Sequence, residues 1–130
     1  MVVTTNPPEV GAIRRKLEAF CEMPHFSRSW LEANSIFVHV RLSRRVHQSQ
    51  VFATLDITNV TVMNGREQGK FKAFLSAAED VAKMAGRTVY IENVQTERFA
   101  QFFRNRGYTE VREDWSGPSF LLLRAPNEEP

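Results

Sequence analysis

Residues 50–63 read QVFATLDITNVTVM, residues 64–69 read NGREQG, and residues 70–85 read KFKAFLSAAEDVAKMA. The first run is rich in Val, Ile and Thr and predicts a long strand. The second is a break whose glycines and asparagine tolerate turns or expose backbone amides. In the third, Phe71, Phe74, Leu75, Ala78, Val81 and Ala82 recur at helical spacing, with Lys72, Glu79, Asp80 and Lys83 on the other side. Gly86 stands where a helix of this length would end. A strand, a glycine-bearing loop and a helix in that order aim free N–H groups at whatever lies above the helix start, and an anion such as a phosphate is favoured there. Arg66, Gln68 and Lys70 would add donors and charge. A plain strand-to-helix turn with two solvated cations explains the same residues. No Gly-Lys-Ser or Gly-Lys-Thr follows at P-loop spacing, and G-x-G-x-x-G is absent.

Working outward, Ile36, Val38, Val40 and Leu42 alternate with Phe37, His39, Arg41 and Ser43, which predicts a half-buried strand over 35–46. His47–Gln50 reads as the turn joining it to the long strand as an antiparallel hairpin. Upstream, Val10, Ile13, Leu17, Phe20 and Cys21 predict a helix over 8–22, and a shorter helix is expected over 27–34 with Trp30 and Leu31 inward. Downstream come a strand at 88–94, a helix at 96–106 ended by Gly107, and a second hairpin from 108–114 and 119–124. This order gives a mixed α/β domain whose central strand–helix–strand unit requires a parallel pair.

The chain has 130 residues, 17 Lys plus Arg against 15 Asp plus Glu, and a net charge of +2. Its length fits one domain, 1–130, with frayed ends over about 1–7 and 125–130. A single cysteine excludes an internal disulfide and points to a reducing, cytoplasmic setting. No apolar run approaches a membrane span, and Met1–Val10 lacks the pattern of a signal peptide. His25, His39 and His47 show no metal-ligand spacing, so no metal is expected. Cys21, on the apolar stripe, reads as a structural thiol. Arg41–His47 (RLSRRVH), with Arg14, Arg15 and Lys16, is the strongest basic cluster. It suits a nucleic acid or an acidic protein, or equally a charged strand edge that blocks unwanted pairing, and the latter is the commoner use.

The succession from Val51 to Arg124 resembles the GNAT superfamily of acetyl-CoA-dependent N-acyltransferases. Arg66-Glu67-Gln68-Gly69-Lys70-Phe71 follows that family's (Q/R)-x-x-G-x-(G/A) signature until its last position. Thr96–Tyr108 (TERFAQFFRNRGY) looks like its N-x-R-A…L-Y-x-K-x-G-F helix. The resemblance implies a GNAT-like mixed central sheet of about five to six strands with helices on both faces, one strand shorter at the N-terminus. It implies acetyl-CoA as co-substrate and direct transfer of acetyl to a primary amine in a ternary complex. The amine would be a small molecule or a protein, and the chain a monomer or a homodimer.

Residue by residue, the resemblance places the pantetheine arm along Asn59, Val60, Thr61, Val62 and Met63. The pyrophosphate falls on the amides of Arg66, Glu67, Gln68, Gly69, Lys70 and Phe71, and Asn93, Thr96, Phe99 and Phe103 complete the surroundings. Strand 88–94 would splay from its neighbour to leave a slot. Asp56 or Glu92 would take the amine proton, and Asp56 reads equally as a paired strand residue. Phe71 replaces a small residue and either narrows the site or turns into the core. Phe103 replaces the tyrosine that protonates the departing thiolate, leaving Tyr108 or water for that step. Thr96 replaces an Asn and keeps a capping oxygen. These departures support a second reading: a catalytically silent protein on the same scaffold that engages a macromolecule or a CoA ester.

Overall fold

The computed structural model describes residues 8–33, 36–62, 67–111 and 117–123. Period-two patterning sets the centre of the fold. β2 (Ile36–His47) and β3 (Gln50–Val62) pair antiparallel from Ile36↔Val62 to His47↔Gln50. Gln48 and Ser49 both take positive φ, 51° and 68°, the two-residue turn whose twist matches the strands it joins.

The helix expected over 27–34 is replaced, in its described part, by a strand. Arg28–Ala33 forms β1, antiparallel to β2 at the sheet edge. Six residues of alternating Ser29, Leu31 and Trp30, Glu32 carry too little periodicity to separate helix from strand, and a neighbouring strand decides. Phe26, at φ 70°, turns the chain after Pro24, and its N–H donates to Leu42 O at 2.7 Å. Trp30 faces away from the core, 49% exposed, and stacks on the ring of Phe37 across the pair.

α2 (Glu67–Met84) follows β3 and delivers the chain to β4 (Thr88–Ile91), which pairs with β3 in parallel from Thr54↔Thr88 to Ile57↔Ile91. The expected parallel pair is present. α2 starts at Glu67, so residues expected in the loop form its first turn. At its end Gly86 (φ 72°) donates to Lys83 O, and Arg87 N–H donates to Ala82 O at 2.7 Å, a Schellman closure. α3 (Glu97–Asn105), β5 (Thr109–Val111) and β6 (Ser119–Leu121) complete a six-stranded sheet of order β1-β2-β3-β4-β6-β5. β4 and β6 are each shorter than the sequence pattern suggests, and residues 112–114 of the expected β5 lie outside the described residues.

The described helices lie over one face rather than two. The steps from β3 to β4 and from β4 to β5 run the same way across the sheet, and right-handed crossovers then place α2 and α3 on the same side. α1 (Pro8–Phe20) packs beside α2. Under them, Leu42, Leu55 and Val89 form one row of the sheet and Val40, Ile57, Ile91 and Phe120 the next. They meet Ile13, Leu17, Phe74, Leu75, Ala78 and Phe103 in one core. Each such large side chain contributes about 1.5–3 kcal/mol of burial. No described helix is long and apolar enough to cross a membrane.

Candidate functional site

The site begins where β3 loses a neighbour. Its last partner on the β4 side is Ile91, opposite Ile57, after which Glu92 N–H donates to Ile57 O at 3.1 Å. Beyond that point Thr58–Val62 continues as strand against β2 alone. The other chain turns away: Asn93 adopts φ 56°, its N–H donates to Ser119 Oγ at 2.9 Å, and Val94 N–H donates to Pro118 O at 2.8 Å. Two parallel strands therefore open into a wedge, with backbone polar groups of β3 facing it.

A β-bulge accompanies the opening. His39 pairs with Asn59 but Val40 with Ile57, so Thr58 is the extra residue. The sequence carries its signature, because the apolar positions switch from Leu55 and Ile57 to Val60 and Val62. The bulged Thr58 Oγ1 lies 2.6 Å from His39 Nδ1.

At the far end of β3 stands the first turn of α2, whose free N–H groups carry the positive end of the helix dipole. Gly69 is exposed there, and a Cβ at that position would meet nothing within 4 Å. Phe71 does not narrow this surface. It turns into an aromatic cluster with Phe99, Phe102 and Phe103 at ring separations of 5.6–6.1 Å. Phe103 is 2% exposed and stacks on Phe120. Thr96 caps α3, its Oγ1 accepting from Phe99 N–H at 3.2 Å.

Asn59, Val60, Glu92 and Asn93 thus border one opening, with the backbone of Thr61 and Val62 along its side and that of Glu67, Gln68, Gly69 and Lys70 near its end. Met63 and Arg66 lie outside the described residues. The two other acid–base candidates are committed elsewhere. Asp56 is fully buried and accepts from Arg41 Nε (3.0 Å), Arg45 Nη2 (2.9 Å) and Thr54 Oγ1 (2.7 Å). That arrangement saturates the carboxylate and matches the paired-residue reading. Tyr108 donates to Glu79 Oε2 at 2.7 Å, beside Arg106. Burial first, then the Glu79 charge and hydrogen bond, push its hydroxyl far above the ordinary tyrosine range. Glu79 lies roughly 18 Å along α2 from its start, so Tyr108 is remote from the opening.

Glu92 is joined to Arg41 Nη2. Burial works against the Arg41 charge, but its bonds to Glu92 and Asp56 outweigh that and raise the guanidinium above its ordinary value. Arg45 lies 3.7 Å over the ring of Tyr90. The basic cluster at 41–47 is therefore divided: Arg41 and Arg45 serve Asp56, while Arg44 alternates onto the opposite face and is exposed. Cys21 is half-buried, and burial pushes its thiol up despite the opposing charge of Arg87.

Gly117 closes the wall behind Asn93. Its φ is 138°, and a Cβ there would come within 2.6 Å of Asn93 Oδ1. Gly117→Ala should cost about 1–3 kcal/mol in urea unfolding, chiefly from the forbidden backbone angle. A loss below 0.5 kcal/mol, roughly the size of an ordinary surface change, would show that this segment relaxes freely.

A mixed sheet of this order, with its wedge between parallel strands, decides the architecture. The fold is GNAT-like. No family model and no curated protein matches the chain. Among solved structures, a tyrosine-to-phenylalanine mutant of the toxin AtaT, bound to the C-terminus of the antitoxin AtaR and acetyl-CoA, is similar with a TM-score of 0.52. The two are 12% identical over 67% of this chain. The matched region spans 57% of the AtaT chain, a little over half its length. At that identity the likeness is one of fold.

Sequence reasoning missed two residues close to the opening: Phe37 and His39. For His39 a signal existed, since the phase slip between Ile57 and Val60 places the bulge opposite it.

Proposed function

We propose that this chain is an acetyl-CoA-dependent N-acyltransferase, moving acetyl to a primary amine in a ternary complex. The observation that carries the reading is the wedge itself: backbone of Thr58–Val62 unpaired on its β4 side, leading to the amide-rich start of α2. A pantetheine arm is an extended chain bearing amides, and an unpaired strand edge is its complement. The helix start favours the anionic pyrophosphate, and Gly69 leaves it room to approach. Asn93 Oδ1, buried against Gly117, has no hydrogen-bond partner among the described residues. The acetyl-CoA held by the similarly folded AtaT structure supports the same ligand.

The protein's contribution to such a transfer is orientation. The wedge would hold the thioester carbonyl at the strand divergence, where backbone N–H groups can stabilise the oxyanion. Glu92 borders that point and is 39% exposed at its side chain, so among the carboxylates considered it is the one within reach of an incoming amine or a bridging water. Phe103 lacks the hydroxyl that would protonate the leaving thiolate, Tyr108 is held by Glu79, and Tyr90 is buried under Arg45. Water then protonates the thiolate. That same absence favours the second reading, a silent CoA-ester binder.

Calorimetric titration with acetyl-CoA and CoA, followed by an amine-acceptor screen, tests both. Micromolar binding with transfer is the expected result, and binding without transfer selects the silent reading. No heat at millimolar ligand would overturn both.

A further inference from the structure

The sheet face opposite the helices carries aromatic side chains that cofactor binding leaves unused. Trp30 lies directly opposite His39 in the β1–β2 pair, and their rings are 4.9 Å apart. Phe37, two residues from His39, stacks beneath Trp30 at 4.6 Å and 17°. Among the described residues this is a half-exposed aromatic platform beside Arg28, Glu32, Arg41, Asp56 and Glu92, apart from the buried cluster of Tyr90, Val111 and Leu121 that the same face carries over β4 to β6. Its level in the sheet is informative. His39 pairs with Asn59, just beyond the last β3–β4 pair, so the platform borders the opening on the side away from α2.

The hydrogen bonds of Thr58 admit a tautomer of His39 with a free lone pair on Nε2. Thr58 Oγ1 is placed to donate to His39 O at 3.4 Å and lies 2.6 Å from His39 Nδ1. A hydroxyl has one proton, so if it is given to the carbonyl, the oxygen accepts from Nδ1–H and the lone pair resides on Nε2. Such a tautomer is ready to take a proton.

We propose, on the acyltransferase reading above, that Trp30, Phe37 and His39 form the acceptor site, and that the acceptor is an amine carrying a planar aromatic group. The ring stacks on Trp30, and the amine reaches the wedge across roughly two strand spacings, ~10 Å. His39 Nε2 takes one proton from the ammonium and becomes imidazolium. The neutral amine attacks the thioester carbonyl carbon, the C–N bond forms and the C–S bond breaks. The thiolate receives the second nitrogen proton through water to give CoA and the amide, and the imidazolium returns its proton to solvent. Stacking supplies specificity, because an apolar ring leaves water only where a matching surface waits.

Alanyl-phenylalanine amide and alanyl-alanine amide, as competing acceptors for the full-length protein, test this. The wild type should favour the aromatic amide about tenfold in kcat/KM. Trp30→Ala should abolish the preference by raising KM with kcat unchanged. His39→Gln should lower kcat at least a hundredfold while acetyl-CoA affinity stays constant, and free imidazole should restore part of the turnover of His39→Ala. The inference is overturned by equal use of the two amides, by a preference that survives Trp30→Ala, or by His39→Gln turning over within threefold of wild type. Loss of acetyl-CoA binding in His39→Gln, or wild-type binding with transfer to neither amide, also overturns it. A wild type that binds no acetyl-CoA overturns the acyltransferase reading itself, which the calorimetric arm registers separately.

Discussion

Asp56→Ala is expected to lower the free energy of unfolding by about 3–5 kcal/mol, among the largest single effects available in this chain. The carboxylate is fully buried and receives two guanidinium groups and a threonine hydroxyl. Removing it leaves Arg41 and Arg45 side by side on the sheet without the buried carboxylate that both contact. Neither guanidinium can lose its charge, so the penalty falls on folding. Against a typical total of 5–15 kcal/mol, that loss should depress the melting temperature by roughly 10–20 °C. Urea unfolding of Asp56→Ala and Asp56→Asn measures it. Asn retains the shape and one acceptor but not the charge, and should cost less than Ala and still more than 1 kcal/mol. Were Asp56 instead the proton acceptor of the reaction, Asp56→Asn would fold like the wild type and lose turnover alone. That pattern would refute the structural role.

Gly69→Glu is expected to separate binding from folding. Gly69 is the third residue of α2, exposed, with empty space where a Cβ would stand. Replacing a helical glycine gains about 0.5–1 kcal/mol, and a carboxylate in the first turn complements the dipole by a further ~0.3–1 kcal/mol. The variant should therefore melt at or a few degrees above the wild type. Its carboxylate would occupy the space assigned to the pyrophosphate, and like-charge juxtaposition costs several kcal/mol. The affinity for acetyl-CoA should fall about a thousandfold or more. A more stable protein that has lost its ligand cannot be explained by misfolding. Affinity within threefold of wild type would move the pyrophosphate away from this helix start.

The legible parts of the fold were those with enough repeats of one period. β2 alternates over a dozen residues, β3 is rich in Val, Ile and Thr along its length, α2 keeps its stripe for about three turns, and Thr96 and Gly86 mark helix ends by chemistry rather than statistics. β1 was not legible, because six residues with a tryptophan at their centre satisfy either period and only the edge of β2 decides. Asp56 carried a partly hidden answer. Counting back from the turn pair His47↔Gln50 sets Arg41 opposite Asp56, so the ion pair was implied once the hairpin was drawn. Arg45 sits on the same face two register pairs nearer the turn than Ser43↔Thr54, and its diagonal reach back to Asp56 is set by side-chain packing that register alone does not give. Tyr108 misled for a different reason. Its place after Gly107 fits a family pattern, but its neighbour Glu79 comes from another helix and is invisible to any local reading.

The Thr58 bulge changes what kind of inheritance the wedge requires. One surplus backbone residue on β3 re-phases everything after it, at the level where β4 turns away through Asn93. Which side chains border the wedge is therefore written in residue count, not residue identity. Substitutions can accumulate across such a strand without removing the bulge, whereas deleting a single codon at position 58 would restore the pleat and turn every later side chain to the other face. Length, at that one point, is the trait under constraint.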